Sequence, residues 1–353
     1  MIKKFLKENS IHKKIVPYLD IFFVLSPISF FVTWILVCIG MYLDTFFPIL
    51  FLQETTLYIT QFNINTLFLF FGMSILLSSM NSNLLIVDPP SVIHSKNEEW
   101  PLITANFNIG WNDSDIRKNF CIIISFLFLF ISSFKVFVIG VILYLVYRIR
   151  EICIGPYNSV FGPDVETLDV HIYIKILFNT IIYFLIICIG FIYSYDNSFA
   201  MIVSYKFLIL VLPYILCFVG VNFIYESSFV KKNNNIVNNV INSKSSFSNS
   251  KNKSFIFLAN FLMLFSLIIS LCLKDPLLST SIIVFFPFFL YALFRNLEKD
   301  IIRTITYPLA ILSFFMMIIY PYLFLVELIL FYLCKYYYWH RFNTHFPKFI
   351  IDD

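Results

Sequence analysis

Residues 171–193, HIYIKILFNTIIYFLIICIGFIY, hold one lysine and one histidine among side chains that are otherwise apolar or uncharged. Read as a helix, such a run is apolar nearly all round, which suits burial or a lipid surroundings rather than a face in water. At about 1.5 Å per residue it covers roughly 34 Å, the apolar thickness of a bilayer. In lipid the backbone has no water to bond, so only helices and closed barrels cross it. The run lacks the strict in–out alternation of a barrel strand, and we read it as a transmembrane helix.

The rest of the chain repeats this pattern. Of 353 residues, 59% are hydrophobic, 20% aromatic and 13% charged, with 45 Phe, against about 25% charge in a soluble domain. Apolar runs place spans at 17–42, 64–87, 119–134, 136–147, 171–193, 199–224, 254–273, 276–294 and 305–334. Ser132, Ser133 and Lys135 mark a tight reversal between the third and fourth, and Pro308 and Pro321 are expected to kink the last. The expected fold is all-α: a polytopic transmembrane helical bundle of about nine helices. A leader (1–16) precedes one membrane domain (17–334), and a tail (335–353) follows.

The positive charges fix an orientation. With the N-terminus cytoplasmic, the inner segments hold Lys3, Lys4, Lys7, Lys13, Lys14, Lys96, Arg117, Lys118, Arg148, Arg150, Lys231, Lys232, Lys244, Lys251, Lys253, Arg295, Lys299 and Arg303. The outer segments hold Lys135, Lys274 and the tail residues Lys335, Arg341 and Lys348. This asymmetry follows the positive-inside rule. Two long segments, 88–118 and 225–253, then lie on the inner face. The second carries KKNNNIVNNVINSKSSFSNSKNK, whose composition is that of a flexible loop. Heavy use of Ile, Asn, Lys and Phe points to a bacterial inner membrane.

Other chemistries find little foothold. The net charge of +4 comes from clustered loop lysines, which read as orientation signals, and no nucleic acid is expected. The seven cysteines show no C-x-x-C pair, so neither disulfide nor metal is implied. His12, His94, His171, His340 and His345 show no motif spacing, and there is no Gly-rich phosphate loop. His340 and His345 stand in an aromatic tail with Tyr336, Tyr337, Tyr338 and Trp339, which reads as an interfacial belt. Lys175 and Lys206, inside apolar runs, lie near enough to helix ends to snorkel to the interface.

Four stretches, in order, resemble one family. LSSMNSNLLIVDPPSVIHSKNEEWPLITANFNI (77–109) closes the second span with asparagines, an acid and a Pro-Leu-Ile turn. It is similar to the first active-site segment of the UbiA superfamily of intramembrane prenyltransferases. VYRIREICIGPYNSVFGPDVETLDVHIYIKILFNTIIYFLIICIGF (146–191) looks like that family's Tyr/Pro loop and fifth helix, NFIYESSFVKK (222–232) stands where its second acidic motif follows the sixth helix, and KYYYWHRFNTHFPKF (335–349) looks like the tail of some members.

The resemblance implies transfer of a polyprenyl group from a prenyl diphosphate lipid to an acceptor, with membrane lipids around the site. It implies Asp88 and Glu226 as the catalytic and Mg²⁺-binding acids, and Asn81, Asn83, Arg148 and Lys231 as substrate contacts. The chemistry needs these types: Mg²⁺ takes hard oxygen ligands, and together with Lys and Arg it spreads the charge of a departing diphosphate. Asn81 and Asn83 read equally well as interhelical hydrogen-bond partners, and Arg148 and Lys231 as topology determinants. This chain departs from the pattern four residues beyond each acid, where Val92 and Val230 stand. A non-catalytic UbiA-like protein that binds a prenyl lipid or a partner is therefore the alternative. A glycan polymerase or lipid-linked sugar transporter is a further one, although its long loop would normally be outer.

Overall fold

A computed structural model describes the chain over 29–51, 63–80, 114–154, 165–195, 199–238, 245–295 and 297–342, with single positions before residue 29. Several helix ends, among them 114–118, 165–171 and 226–238, are described as backbone only. Eleven helices and no strand occur among the described residues: α1 (Ser29–Phe51), α2 (Ile64–Ser79), α3 (Ser114–Ser132), α4 (Phe134–Ile154), α5 (Val165–Tyr195), the single turn α6 (Phe199–Ile202), α7 (Tyr205–Asn238), α8 (Ser245–Cys272), α9 (Pro276–Arg295), α10 (Glu298–Ile319) and α11 (Pro321–Phe342). The all-helical expectation holds.

Among the described residues six stretches are long and apolar enough to cross a membrane: Phe30–Pro48, Ile172–Ser194, Tyr205–Tyr225, Lys253–Cys272, Pro276–Arg295 and Asp300–Ile319. Large apolar side chains such as Leu177, Phe257, Phe261, Ile283 and Phe314 remain exposed along them. Water would penalise that surface and hydrocarbon does not. The chain is an integral membrane protein.

The described residues group into two units, one of Met1–Trp34, Phe62–Phe137 and Tyr320–Asp353, the other of Ile35–Gln61 and Val138–Ile319. In the first, Asn63 caps α2, its side chain accepting from the Thr66 amide at 2.9 Å, which satisfies one of the helix's unpaired donors. Gly72 then lets α2 settle against Phe128 and Leu129 of α3. The expected reversal is present: Ser133 separates α3 from α4, and the rings of Phe126 and Phe137 are 5.8 Å apart. Along a straight helix, positions that far apart would be separated by about 16 Å.

In the second unit α7 packs on α8, where Gly220 meets Ala259 and Met263 and Ser266 Oγ donates to the Pro213 carbonyl at 2.6 Å. Asn260 Nδ2 reaches the Phe289 carbonyl on α9 at 3.1 Å, and Phe288 meets Tyr307 of α10 edge-on at 4.6 Å.

Several segments differ from the sequence reading: the first span, read as ending at 42, continues in α1 to Phe51, and the run 199–224 is broken between α6 and α7. The run 305–334 is two helices, α10 and α11, meeting at Tyr320. Pro321 has no amide to donate and stands at the first position of α11, where that loss costs nothing. The polar run after residue 225, read as a flexible loop, continues α7 to Asn238 and begins α8 at Ser245. A helix already nucleated in an apolar run extends at little cost through Asn, Ser and Lys.

Candidate functional site

Within the second unit α5 and α7 run antiparallel. Phe191 and Phe207 lie 4.4 Å apart toward one end and Tyr173 and Phe223 6.2 Å apart toward the other. Between these pairs Tyr183 Oη donates to Asn222 Oδ1 at 3.0 Å, both residues being fully buried. Residues four apart share a helix face, so Asn179 follows Tyr183 down α5 as Glu226 follows Asn222 along α7. Since the Tyr183 ring lies against Phe218 at 5.5 Å and Phe223 meets Tyr173, Asn179 stands near the level of Asn222, and the Glu226 backbone lies further on, about level with Tyr173.

Asn179 is 1% exposed. Among the described residues, its Oδ1 and the Nδ2 of Asn222 have no hydrogen-bond partner. Each such atom costs about 1–3 kcal/mol when left unpaired in an apolar interior. Buried polar groups are nearly always satisfied, and the acceptor of Asn179 and the donor of Asn222 are exceptions among the described residues.

The other sequence-derived residues are placed less fully. Asn81, Asn83 and Asp88 lie outside the described residues. Glu226 and Lys231 belong to the backbone of α7. Arg148, on α4, is about half exposed and pairs with Glu151 at 2.7 Å. Its neighbour Arg150 is buried over the Tyr147 ring, 5.6 Å from the centroid. No described contact joins Arg148 to Asn179, Tyr183 or Asn222. The seven cysteines are free thiols, and no cluster of three His, Cys, Asp or Glu occurs among the described residues.

Four buried acids escaped the sequence reading: Asp44, Asp275, Asp300 and Glu327. Asp275, between α8 and α9, is 1% exposed. One carboxylate oxygen accepts from Tyr42 Oη at 3.0 Å and from the Leu277 and Leu278 amides at 3.1 and 3.4 Å; the other accepts from Tyr214 Oη at 2.6 Å. Burial raises its pKa above the ordinary carboxylate value, opposed by the hydrogen bonds from Tyr214, Tyr42, Leu278 and Leu277. The preceding turn closes α8 through Asp275 N to the Ser270 carbonyl and Lys274 N to that of Leu271, with Lys274 at φ 56°, the left-handed residue of a Schellman close. The Asp-Pro pair at 275–276 was a legible cap signal, but its tyrosine partners were not. Asp300, 2% exposed at the start of α10, stands 3.5 Å from Arg295 and 3.4 Å from Arg303. Nothing in the spacing of Asn179 and Asn222 announced them, although carboxamides inside apolar runs commonly meet across helices.

No family model matches the chain, and no curated protein matches it. Among solved structures, one described as digeranylgeranylglyceryl phosphate synthase in membranes is similar at 14% identity. The match covers 90% of this chain and 98% of that one, with a TM-score of 0.46.

Proposed function

We propose that the chain is a UbiA-like membrane prenyltransferase, which moves a polyprenyl group from a prenyl diphosphate to an acceptor at the inner face of a bacterial inner membrane, with its N-terminus cytoplasmic. One observation carries the reading: the second acidic segment, 222–232, continues a membrane helix whose last buried turn presents Asn222 with an unpaired amide nitrogen, one turn before Glu226. Together with the order of the four resembling stretches, this sets a polar end in an otherwise apolar bundle, which suits a substrate with an apolar tail and an anionic head.

Asp88 and Glu226 are the acids that would hold Mg²⁺. Their carboxylate oxygens are the kind of ligand that Mg²⁺ takes. When bound, the ion would offset the negative charge gathering on the diphosphate. Asn81, Asn83, Arg148 and Lys231 are the proposed contacts to the substrate head, and the apolar helices would hold the prenyl tail and exclude water. A second reading, a protein that binds a prenyl lipid without turning it over, draws on Val92 and Val230 standing where further acids would complete the set.

The test is pyrophosphate release from prenyl diphosphates by the purified protein in lipid, with and without Mg²⁺. Release that requires Mg²⁺ and is lost in both Asp88→Ala and Glu226→Ala supports the enzyme. Binding without release favours the second reading, and neither binding nor release removes both.

A further inference from the structure

Ile283, Pro287, Tyr291, Phe294 and Arg295 form an exposed stripe along α9 that ends at its last residue. Positions three and four apart stack on one helix face, and the rise from Ile283 to Arg295 is about 18 Å, close to the hydrocarbon depth of one leaflet. Arg295 ends one candidate span and Asp300 begins the next, so the turn between them stands at a membrane interface. There Phe294 is 81% exposed and Leu297 is exposed beside it. Water penalises such side chains, whereas the boundary between headgroups and acyl chains accepts them.

Positive charge gathers at the same turn. Arg295 Nε stands 3.5 Å from Asp300 Oδ2 with no hydrogen bond to it, and Arg303 Nη1 donates to Asp300 Oδ1 at 3.4 Å. Both separations exceed the roughly 2.7–2.9 Å of a closed guanidinium–carboxylate bond. Two guanidinium groups share this one buried carboxylate, which leaves a positive charge over. Arg295 presents it, since its side chain is 54% exposed and that of Arg303 is less so. The contact to Asp300 uses Nε, so the two terminal nitrogens of Arg295 remain for another acceptor. A guanidinium fork of this kind matches the geometry of a phosphate.

We propose that the α9–α10 turn holds an anionic phospholipid of the surrounding bilayer. The terminal nitrogens of Arg295 donate to its phosphate, and an acyl chain lies along Tyr291, Pro287 and Ile283. Arg303 offsets Asp300, so that the charge of Arg295 is left for the lipid. A zwitterionic lipid brings its own cation to its phosphate and gains less from the site. Basic residues at the ends of spans also orient a protein in its membrane, but that role needs charge alone, with neither a fork nor an apolar stripe leading away from it. The proposal does not depend on prenyl transfer, because its ligand is a lipid of the bilayer and not a substrate.

The test is native mass spectrometry of the full chain from detergent micelles that contain equal amounts of phosphatidylglycerol and phosphatidylcholine. Wild type is expected to retain phosphatidylglycerol about fivefold over phosphatidylcholine, with the preference shrinking as salt is raised. Arg295→Gln should lower bound phosphatidylglycerol about threefold to tenfold, the worth of one interfacial cation. Lys274→Gln, which removes the same charge at the opposite end of α9, should leave it unchanged. If Arg295→Gln fails to fold, Arg295→Lys keeps a cation beside Asp300 without the fork, and a loss of about twofold to threefold is expected. Equal retention of the two lipids by wild type, unchanged phosphatidylglycerol in the Arg295 variant that folds, or equal losses in Arg295→Gln and Lys274→Gln overturns the proposal. Displacement of phosphatidylglycerol by equimolar farnesyl diphosphate assigns Arg295 to the substrate and overturns it too.

Discussion

Gly40 and Gly190 are the point at which α1 and α5 touch backbone to backbone. A Cβ built on Gly190 would stand 3.1 Å from the Gly40 Cα, and one built on Gly40 would overlap the Ile187 carbonyl oxygen. Since lipid tails are as apolar as leucine, helices in a membrane gain from close packing, and small residues permit it.

Either Gly40→Ala or Gly190→Ala should therefore force the two helices apart, at a cost of about 1–3 kcal/mol. Gly72→Ala is the control. Its nearest obstacles are side-chain atoms of Leu129 and Phe128 at 3.0–3.2 Å, which can yield, and alanine recovers helix propensity of up to about 1 kcal/mol. Thermal unfolding in detergent should show a clear fall for the first two and a small change for the third.

Asp275 joins α1, α7 and the start of α9 through one carboxyl group. Asp275→Ala removes the cap and strands two buried tyrosine hydroxyls, a loss of about 2–4 kcal/mol. The pH dependence has a definite sign. A carboxyl whose pKa is higher folded than unfolded gives stability that is whole below the unfolded value of about 3.9 and fades as pH rises through the folded one. Burial sets Asp275 in that direction. Stability of wild type relative to Asp275→Asn should therefore decline as pH rises from about 4, measured by unfolding in detergent at matched ionic strength.

Ser74 holds the indole of Trp34. Trp34 Nε1 donates to Ser74 Oγ at 2.8 Å, and Ser74 Oγ donates onward to the Phe70 carbonyl at 2.7 Å. Ser74→Ala leaves a fully desolvated indole N–H without an acceptor, and a loss of about 1–2 kcal/mol follows. Trp34→Phe removes donor and need together, so the double variant should cost little more than Trp34→Phe alone, a coupling that a double-mutant cycle on unfolding reads directly.

Helix identity was legible because lipid imposes a single demand, continuous apolarity with every backbone bond satisfied internally. The turn at Ser133 was legible for the same reason: two serines and a lysine interrupt an unbroken run. Where one helix stops within a long apolar stretch is a finer matter. Pro308 stays inside α10 while Pro321 begins α11, and residue type alone does not separate the two prolines. The extension of α7 through KKNNNIVN is set by the helix that precedes it rather than by its composition.

The candidate site was legible only as far as its chemistry is local. An acid beside a polar run can be picked out of a string of letters, as Glu226 was, but the helix that carries it on to Asn238 cannot. Asp275 depends on Tyr42 and Tyr214, which are distant in sequence. Asn179 and Asn222 gain meaning only when α5 lies against α7 and Tyr183 fixes the register between them.

The central claim is that this membrane protein transfers a prenyl chain from its diphosphate, which leaves as pyrophosphate, to an acceptor. The measurement that tests it most directly is mass spectrometry of lipid extracts after incubating the protein, in bacterial lipid with Mg²⁺, with deuterium-labelled prenyl diphosphates. The account predicts labelled prenyl chains attached to a new acceptor lipid, dependent on Mg²⁺ and absent with Glu226→Ala. Label recovered solely as unreacted diphosphate across the panel and a range of acceptors would contradict it.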